Sequence, residues 1–174
     1  MSKKHFLALP VTGDTFAEIR EKNRYYVDKT PYLKAVFSED EAVDDKSLID
    51  GTTVLLLTRP RRFGKTLLMN MFESFLNINY EKPGDTTIHQ SYFKDTKIFE
   101  EQKFCKKYMG QFPVISITLK DVLGDDFESA YLKLAEVVSA KANEFSFLKE
   151  SPYLNEMEKA KFNLLCDEIY LKKA

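Results

Sequence analysis

The segment Thr58-Arg59-Pro60-Arg61-Arg62-Phe63-Gly64-Lys65-Thr66 concentrates the residues best suited to holding a phosphate. Its last three positions complete the pattern G-x-x-x-x-G-K-[ST], in which a turn leads from a strand into a helix. Gly64 permits backbone conformations that bring successive N–H groups round an anion. The Lys65 ammonium can place a point charge on terminal phosphates. The Thr66 hydroxyl can give one ligand to a magnesium ion bridging them. A helix starting near Lys65 adds unpaired N–H groups and the positive end of its dipole. Arg59 stands where the pattern has its first glycine. Pro60 biases Arg59 toward an extended conformation and brings no N–H of its own. Charge can compensate, because Arg59, Arg61, Arg62 and Lys65 put four cations within seven residues. Phe63 completes the loop. The same string also reads as a basic surface loop facing acidic residues such as those at 39–45.

A phosphate loop needs a strand behind it and a helix ahead of it. Val54-Leu55-Leu56-Leu57 is a continuous apolar run, the pattern of a strand buried on both faces in a parallel sheet. Residues 66–77 have helical spacing, with Leu67, Leu68, Met71, Phe72, Phe75 and Leu76 on one broad face. Phe112 to Leu119 is rich in β-branched residues and predicts a second strand. Upstream, residues 14–23 predict a short helix capped by Asp14 or Thr15. Tyr25-Tyr26-Val27 favours extended structure. Tyr25 and Tyr26 suit either the core or a contact with a base. Asp28 reads as the N-cap of a helix carrying Tyr32, Leu33, Val36 and Phe37, with Pro31 in its first turn. Ser38 to Asp45 is an acidic, solvated loop, and Gly51 closes the region. Asn77 to Gln90, with Pro83-Gly84-Asp85, reads as loop. Tyr92-Phe93 and Ile98-Phe99 flank a charged segment that fits a hairpin or a strand and turn. Residues 125–144 predict an amphipathic helix with Phe127, Tyr131, Leu134, Ala135 and Val138 on its apolar side, and a last helix spans about 155–172. The expected architecture is α/β, a mostly parallel sheet flanked by helices, in one domain over residues 1–174.

Composition narrows the function classes. The 174 residues carry 26 Lys+Arg against 27 Asp+Glu, so no bulk basic charge holds nucleic acid or an anionic membrane. Apolar residues at 44% and charged residues at 30% are globular values. Cys105 and Cys166 form no CxxC pair and read as ordinary thiols. His5 and His89 lie far apart, and His89 sits in a polar stretch without an evident partner. The apolar run before Pro10 is too short for a secretory core, and no stretch approaches the ~20 apolar residues of a membrane span. A cytoplasmic protein without a membrane partner is expected.

Taken together, Leu9-Pro10 with Phe16 and Ile19-Arg20, Tyr25-Tyr26-Val27-Asp28-Lys29-Thr30, the run from Thr58 to Leu67, and Phe112-Pro113-Val114-Ile115 resemble the AAA-ATPase-like family, also called predicted AAA-ATPases. The resemblance covers nearly the whole chain and makes Arg59 a family trait. It implies an α/β P-loop NTPase-like fold, ATP and Mg2+ as ligands, and phosphates held by the loop from Arg59 to Thr66. Family members carry an acidic Asp-Glu-Tyr-Asp strand downstream and often a nuclease-like C-terminal region. The chain is therefore expected to be the N-terminal portion of a longer architecture, ending at Ala174 before that strand. Leu164-Leu165-Cys166-Asp167-Glu168 looks similar to it, but Met157, Phe162, Leu165 and Ile169 have near-helical spacing. Asp121, at the end of the second expected strand, is the other acidic candidate, with a capping role as its alternative. Neither Asp121 nor Glu168 is assigned a catalytic role.

Two functions follow as expectations. One is a P-loop domain that binds ATP with weak or no turnover, because a secure acidic partner for the metal is lacking. The other is a non-catalytic module derived from a truncated ATPase, whose basic loop meets a protein or nucleic acid. Self-association is expected if a sheet edge is left unpaired.

Overall fold

The computed structural model describes residues 7–11, 13–37, 56–58, 60–120 and 122–173. They fall into two compact units, one ending at Val114 and the other beginning at Ile115.

In the first unit the described helices are α1 (Phe16–Glu21), α2 (Pro31–Val36), α3 (Lys65–Leu76), α4 (Thr87–Phe93), α5 (Lys97–Glu100) and α6 (Gln102–Tyr108). A capping box starts α1: the Thr15 hydroxyl accepts from Glu18 N at 3.3 Å, and the Glu18 carboxylate accepts from Thr15 N at 2.9 Å. The Thr15 amide, then Lys22, hold the Glu18 carboxyl down at about 2. Pro31 occupies the first turn of α2, as its fixed φ and missing N–H allow. The helix α3 spans nearly the predicted range and buries Leu68, Met71 and Phe75, with Leu67, Phe72 and Leu76 packed beside them. Around this face gather Phe16, Leu33, Phe93, Ile98, Phe104 and Tyr108. Their rings meet edge-on or tilted, as at Phe75–Phe93, with centroids 5.1 Å apart. From α1, Arg20 donates to the carbonyls of Tyr92 and Lys94, each at 2.6 Å, and so caps the end of α4.

In the second unit, Asp126 caps α7 (Phe127–Glu144) by accepting from Ser129 N at 2.7 Å. A 3₁₀ turn (Ser146–Glu150) follows, then α8 (Glu156–Cys166) and α9 (Glu168–Leu171). Asn155 and Glu158 form a capping box on α8. Ser139 and Asn143 of α7 both donate to the Cys166 carbonyl at 2.9 Å, satisfying the end of α8. Ala135 is buried as its spacing predicts, whereas Phe127 at the first helical position is 85% exposed.

The expected parallel sheet is not found. Among the described residues there is no β-strand; the β-type pairing present is an isolated parallel bridge between Asn77 and Phe112. Val54 and Leu55 of the first expected strand lie outside the described residues, while Leu56 is 81% exposed and not in a strand. The second expected strand fails for a visible reason at its start. Phe112 N donates to the Leu76 carbonyl at 3.0 Å, and its own carbonyl accepts from Ile78 N at 2.8 Å. These two bonds are the parallel bridge to Asn77, and the pairing goes no further among the described residues. Beyond it, Ile115, Ile117 and Leu119 have no regular secondary structure and are exposed. The segments around Tyr92-Phe93 and Ile98-Phe99 are α4 and α5, not a hairpin, and Thr87 to Gln90 are helical rather than loop. Leu164 to Glu168 are helical apart from Asp167, whose side chain caps α9 by accepting from Tyr170 N. The acidic stretch from Ser38 to Asp45, Gly51, Asp121 and His5 lie outside the described residues.

Asp28 does not cap α2; Thr30 is its N-cap. Instead the Asp28 carboxylate accepts from Thr30 N (2.8 Å), the Thr30 hydroxyl (2.7 Å) and Lys97 N (2.8 Å), the last at the start of α5. Partial burial pushes this carboxyl up, but the Lys97 amide and the two Thr30 donors outweigh it and hold it below the usual range. Asp28→Ala should cost about 1–3 kcal/mol in urea unfolding at pH 7, since buried Thr30 and the first turn of α5 lose their acceptor. The sign with pH follows from the lowered pKa. The difference from wild type should be full above about pH 4, the unfolded value, and shrink as pH falls through the folded one. Unfolding curves of both proteins from pH 7 to pH 3 check this.

Candidate functional site

The loop before α3 is built by two left-handed residues. Arg62 has φ 68° and Gly64 has φ 73°, with Phe63 between them. For Arg62 this is a sparsely populated conformation, the kind that surrounding contacts must maintain. Gly64 is the N-cap of α3 and no side chain caps it. The first N–H groups of a helix have no intrahelical partner, so this terminus is a set of donors with a positive dipole end.

Glycine is favoured at 64 on two grounds. Its φ is unfavourable for a side chain, and a Cβ there would lie 3.1 Å from the Lys29 ammonium, which would have to give way slightly. Lys29 donates to the Phe63 carbonyl at 3.0 Å. Lys65 turns back along the loop and donates to the Pro60 carbonyl at 3.2 Å. Pro60, Arg61, Arg62, Phe63, Lys65 and Thr66 are exposed; Arg59 lies outside the described residues. The structure therefore brings Arg62, Phe63, Gly64 and Lys65 together at the start of α3 and adds Lys29. Sequence spacing did not point to Lys29, which stands 34 residues upstream of Phe63. The available signal was its place in the Tyr25–Thr30 run.

Two cavities adjoin the loop. One of about 430 Å³ is lined by Pro10, Tyr25, Val27, Lys29, Phe63 and Leu67 among others. A second, of about 200 Å³, lies between Lys29, Tyr32, Phe63, Lys65 and Leu68. The two tyrosines separate in role. Tyr26 packs edge-on against Phe16 and donates to Met71 Sδ at 3.3 Å, and burial raises its phenol to about 12. Tyr25 is 51% exposed at the rim of the larger cavity.

For a metal, Thr66 offers one hydroxyl in the first turn of α3. No carboxylate is among the described residues lining either cavity, and no cluster of three or more His, Cys, Asp or Glu is found among the described residues. That donor set fits an ion carried by phosphate oxygens and water, since magnesium usually keeps several waters and takes few protein ligands. It does not amount to a protein-built metal centre. His89 is not a loop residue: it lies buried on α4 with Nε2 2.7 Å from the Asn77 carbonyl. Cys105 and Cys166 are free thiols, and burial raises that of Cys105 to about 11. Glu168 pairs with Lys172 on α9's own turn.

No helix among the described residues is long and apolar enough to cross a membrane. No curated protein and no solved structure matches the chain significantly. A family model does, over residues 10–174, a span that contains the Tyr25–Thr30 run, the loop and all nine helices described above. On that match the chain belongs to the predicted AAA-ATPase family.

Proposed function

We propose that this chain binds ATP, with the phosphates held by the loop Arg59–Thr66 and the first turn of α3. The observation that carries the reading is the N-terminus of α3: a left-handed glycine with no capping side chain, flanked by the ammonium groups of Lys29 and Lys65. Gly64, Lys65 and Thr66 supply main-chain donors, as helix starts do for anions. Lys65 supplies the charge, and its contact with the Pro60 carbonyl is one that a phosphate oxygen replaces. Arg61 and Arg62 add exposed positive charge beside the cradle. The base lies in the larger cavity against Tyr25 and Phe63, both exposed aromatic rings at its edge. Thr66 gives one ligand to the magnesium ion that accompanies the nucleotide.

Hydrolysis needs a water oriented for in-line attack and an acidic group holding the metal. Among the described residues lining the two cavities there is no carboxylate. The proposal is therefore for nucleotide binding, with weak or no turnover expected.

Titration of a fluorescent ATP analogue, read by anisotropy, tests the proposal. Lys65→Ala should weaken binding by about 10–100-fold, the size expected for one charge-assisted contact. Equal binding by mutant and wild type removes Lys65 from the site, and absence of saturable binding by wild type removes the site. Competition with duplex DNA adds a second arm. DNA binding that persists at saturating ATP would favour a nucleic-acid module, and its salt dependence would count the phosphates contacted. Gly64→Ala should lower the unfolding free energy by about 1–2 kcal/mol, the cost of a left-handed residue with a Cβ. Urea unfolding reads that effect without nucleotide.

A further inference from the structure

The run from Tyr25 to Thr30 is tied down at every step, more firmly than a connecting segment requires. The Tyr26 hydroxyl donates to Met71 Sδ of α3 at 3.3 Å and accepts from Lys29 N at 3.2 Å. The Lys29 carbonyl accepts from Tyr32 N at 3.1 Å. On one side Asp28 holds Lys97 N; on the other, the buried Thr30 hydroxyl accepts from Ile98 N at 3.2 Å. The backbone of Lys29 is thus braced against α3, α2 and α5. Its side chain leaves this frame and ends on a single backbone carbonyl, that of Phe63.

That carbonyl belongs to the peptide unit whose N–H is Gly64's. A trans peptide is planar, so its C=O and N–H point in opposite directions. Fixing the Phe63 carbonyl on Lys29 fixes the Gly64 N–H pointing away from the ammonium. Without such a tie, the peptide joining Phe63 to a left-handed glycine has little to oppose its rotation. Glycine at 64 lowers the barrier to that rotation, since it accepts most backbone conformations.

We propose that Lys29 is a positioning residue for nucleotide binding. Its ammonium holds the Phe63–Gly64 peptide so that the Gly64 N–H faces the phosphate cradle before ligand arrives. This inference rests on the phosphate-loop reading of Arg59–Thr66 and assigns a role that the loop motif does not contain. The benefit is preorganisation: a donor already aimed costs no reorientation on binding. The close approach of Lys29 Nζ to the space of a Gly64 Cβ, 3.1 Å, couples the two positions. A Cβ at 64 makes the ammonium give way by a few tenths of an ångström and so disturbs the tie.

The test uses the full chain and a fluorescent ADP analogue, displaced in a second titration by inorganic pyrophosphate. Lys29→Met keeps most of the aliphatic stem and removes the donor. It should weaken both the analogue and pyrophosphate about tenfold, as loss of one hydrogen bond to a charged donor does. Lys29→Arg retains a donor of similar reach and should recover most of that loss. In the Gly64→Ala background, Lys29→Met should cost less than it does in wild type, because the added Cβ already disturbs the tie. The proposal is overturned if Lys29→Met binds like wild type, if Lys29→Arg is as weak as Lys29→Met, or if the Lys29 and Gly64 losses simply add. Failure of wild type to bind the analogue at all would instead overturn the phosphate-loop reading beneath it. Circular dichroism melts without nucleotide separate a folding defect from a binding one: all Lys29 variants should melt within a few degrees of wild type, as expected for an exposed hydrogen bond.

Discussion

The backbone at Gly64 is the constraint on which the rest of the first unit depends. A left-handed residue there both ends the loop and begins α3. Glycine is favoured there for two separate reasons, its φ and the ammonium of Lys29 beside it. Either reason alone is commonplace. Together they join a local conformational preference to a contact from 34 residues away. The loop therefore takes its shape from the neighbouring Tyr25–Thr30 frame as well as from its own residues.

That frame explains how an exposed, highly charged loop can be held in a strained form. Arg62 adopts φ 68°, which costs free energy unless neighbours oppose its relaxation. Opposition comes from two ammonium-to-carbonyl contacts, Lys29 to Phe63 and Lys65 to Pro60, placed on either side of Arg62. Four cations in the segment would otherwise repel one another and favour an open chain. The two carbonyl oxygens give the Lys29 and Lys65 ammonium groups local acceptors within this positive field. The described residues lining the two cavities are aromatic, aliphatic and basic.

The parts legible from sequence were those set by local chemistry. Thr15 with Glu18, Asp126 with Ser129 and Asn155 with Glu158 mark helix starts whose caps appear as the residue types require. The apolar face of α3 follows from helical spacing and lies in the core as expected. Strands were misjudged because apolar or β-branched runs state only a preference for extension. Whether a run joins a sheet depends on which partner takes its backbone groups. For Phe112 that partner is the chain leaving α3 at Leu76 and Ile78, in a single bridge, a choice no single segment reveals. Asp28 illustrates a third case: its residue type announced a cap, but the helix it serves, α5, lies 69 residues on rather than next in the chain. His89 was misread in the same way. Its polar neighbours in sequence hide the fact that α4 turns the ring inward to the Asn77 carbonyl.

The helix α3 connects these observations. Its N-terminus presents the loop, its middle fills the core, and its C-terminus is closed by the segment from Gly110 to Val114. Gly110 N donates to the Phe75 carbonyl at 2.8 Å, Phe112 N to that of Leu76, and Val114 N to Asn77 Oδ1 at 3.1 Å. The last carbonyls of a helix are as much in need of partners as the first amides. With those carbonyls satisfied by a wrapped chain, α3 is anchored at the end far from the loop. Its middle is anchored by Met71, which touches both the core and Tyr26. At the N-terminus no side chain caps Gly64, and the Lys29 and Lys65 ammonium groups rest on the Phe63 and Pro60 carbonyls of the loop just before it. The candidate site thus sits at the end of α3 opposite its wrapped C-terminus.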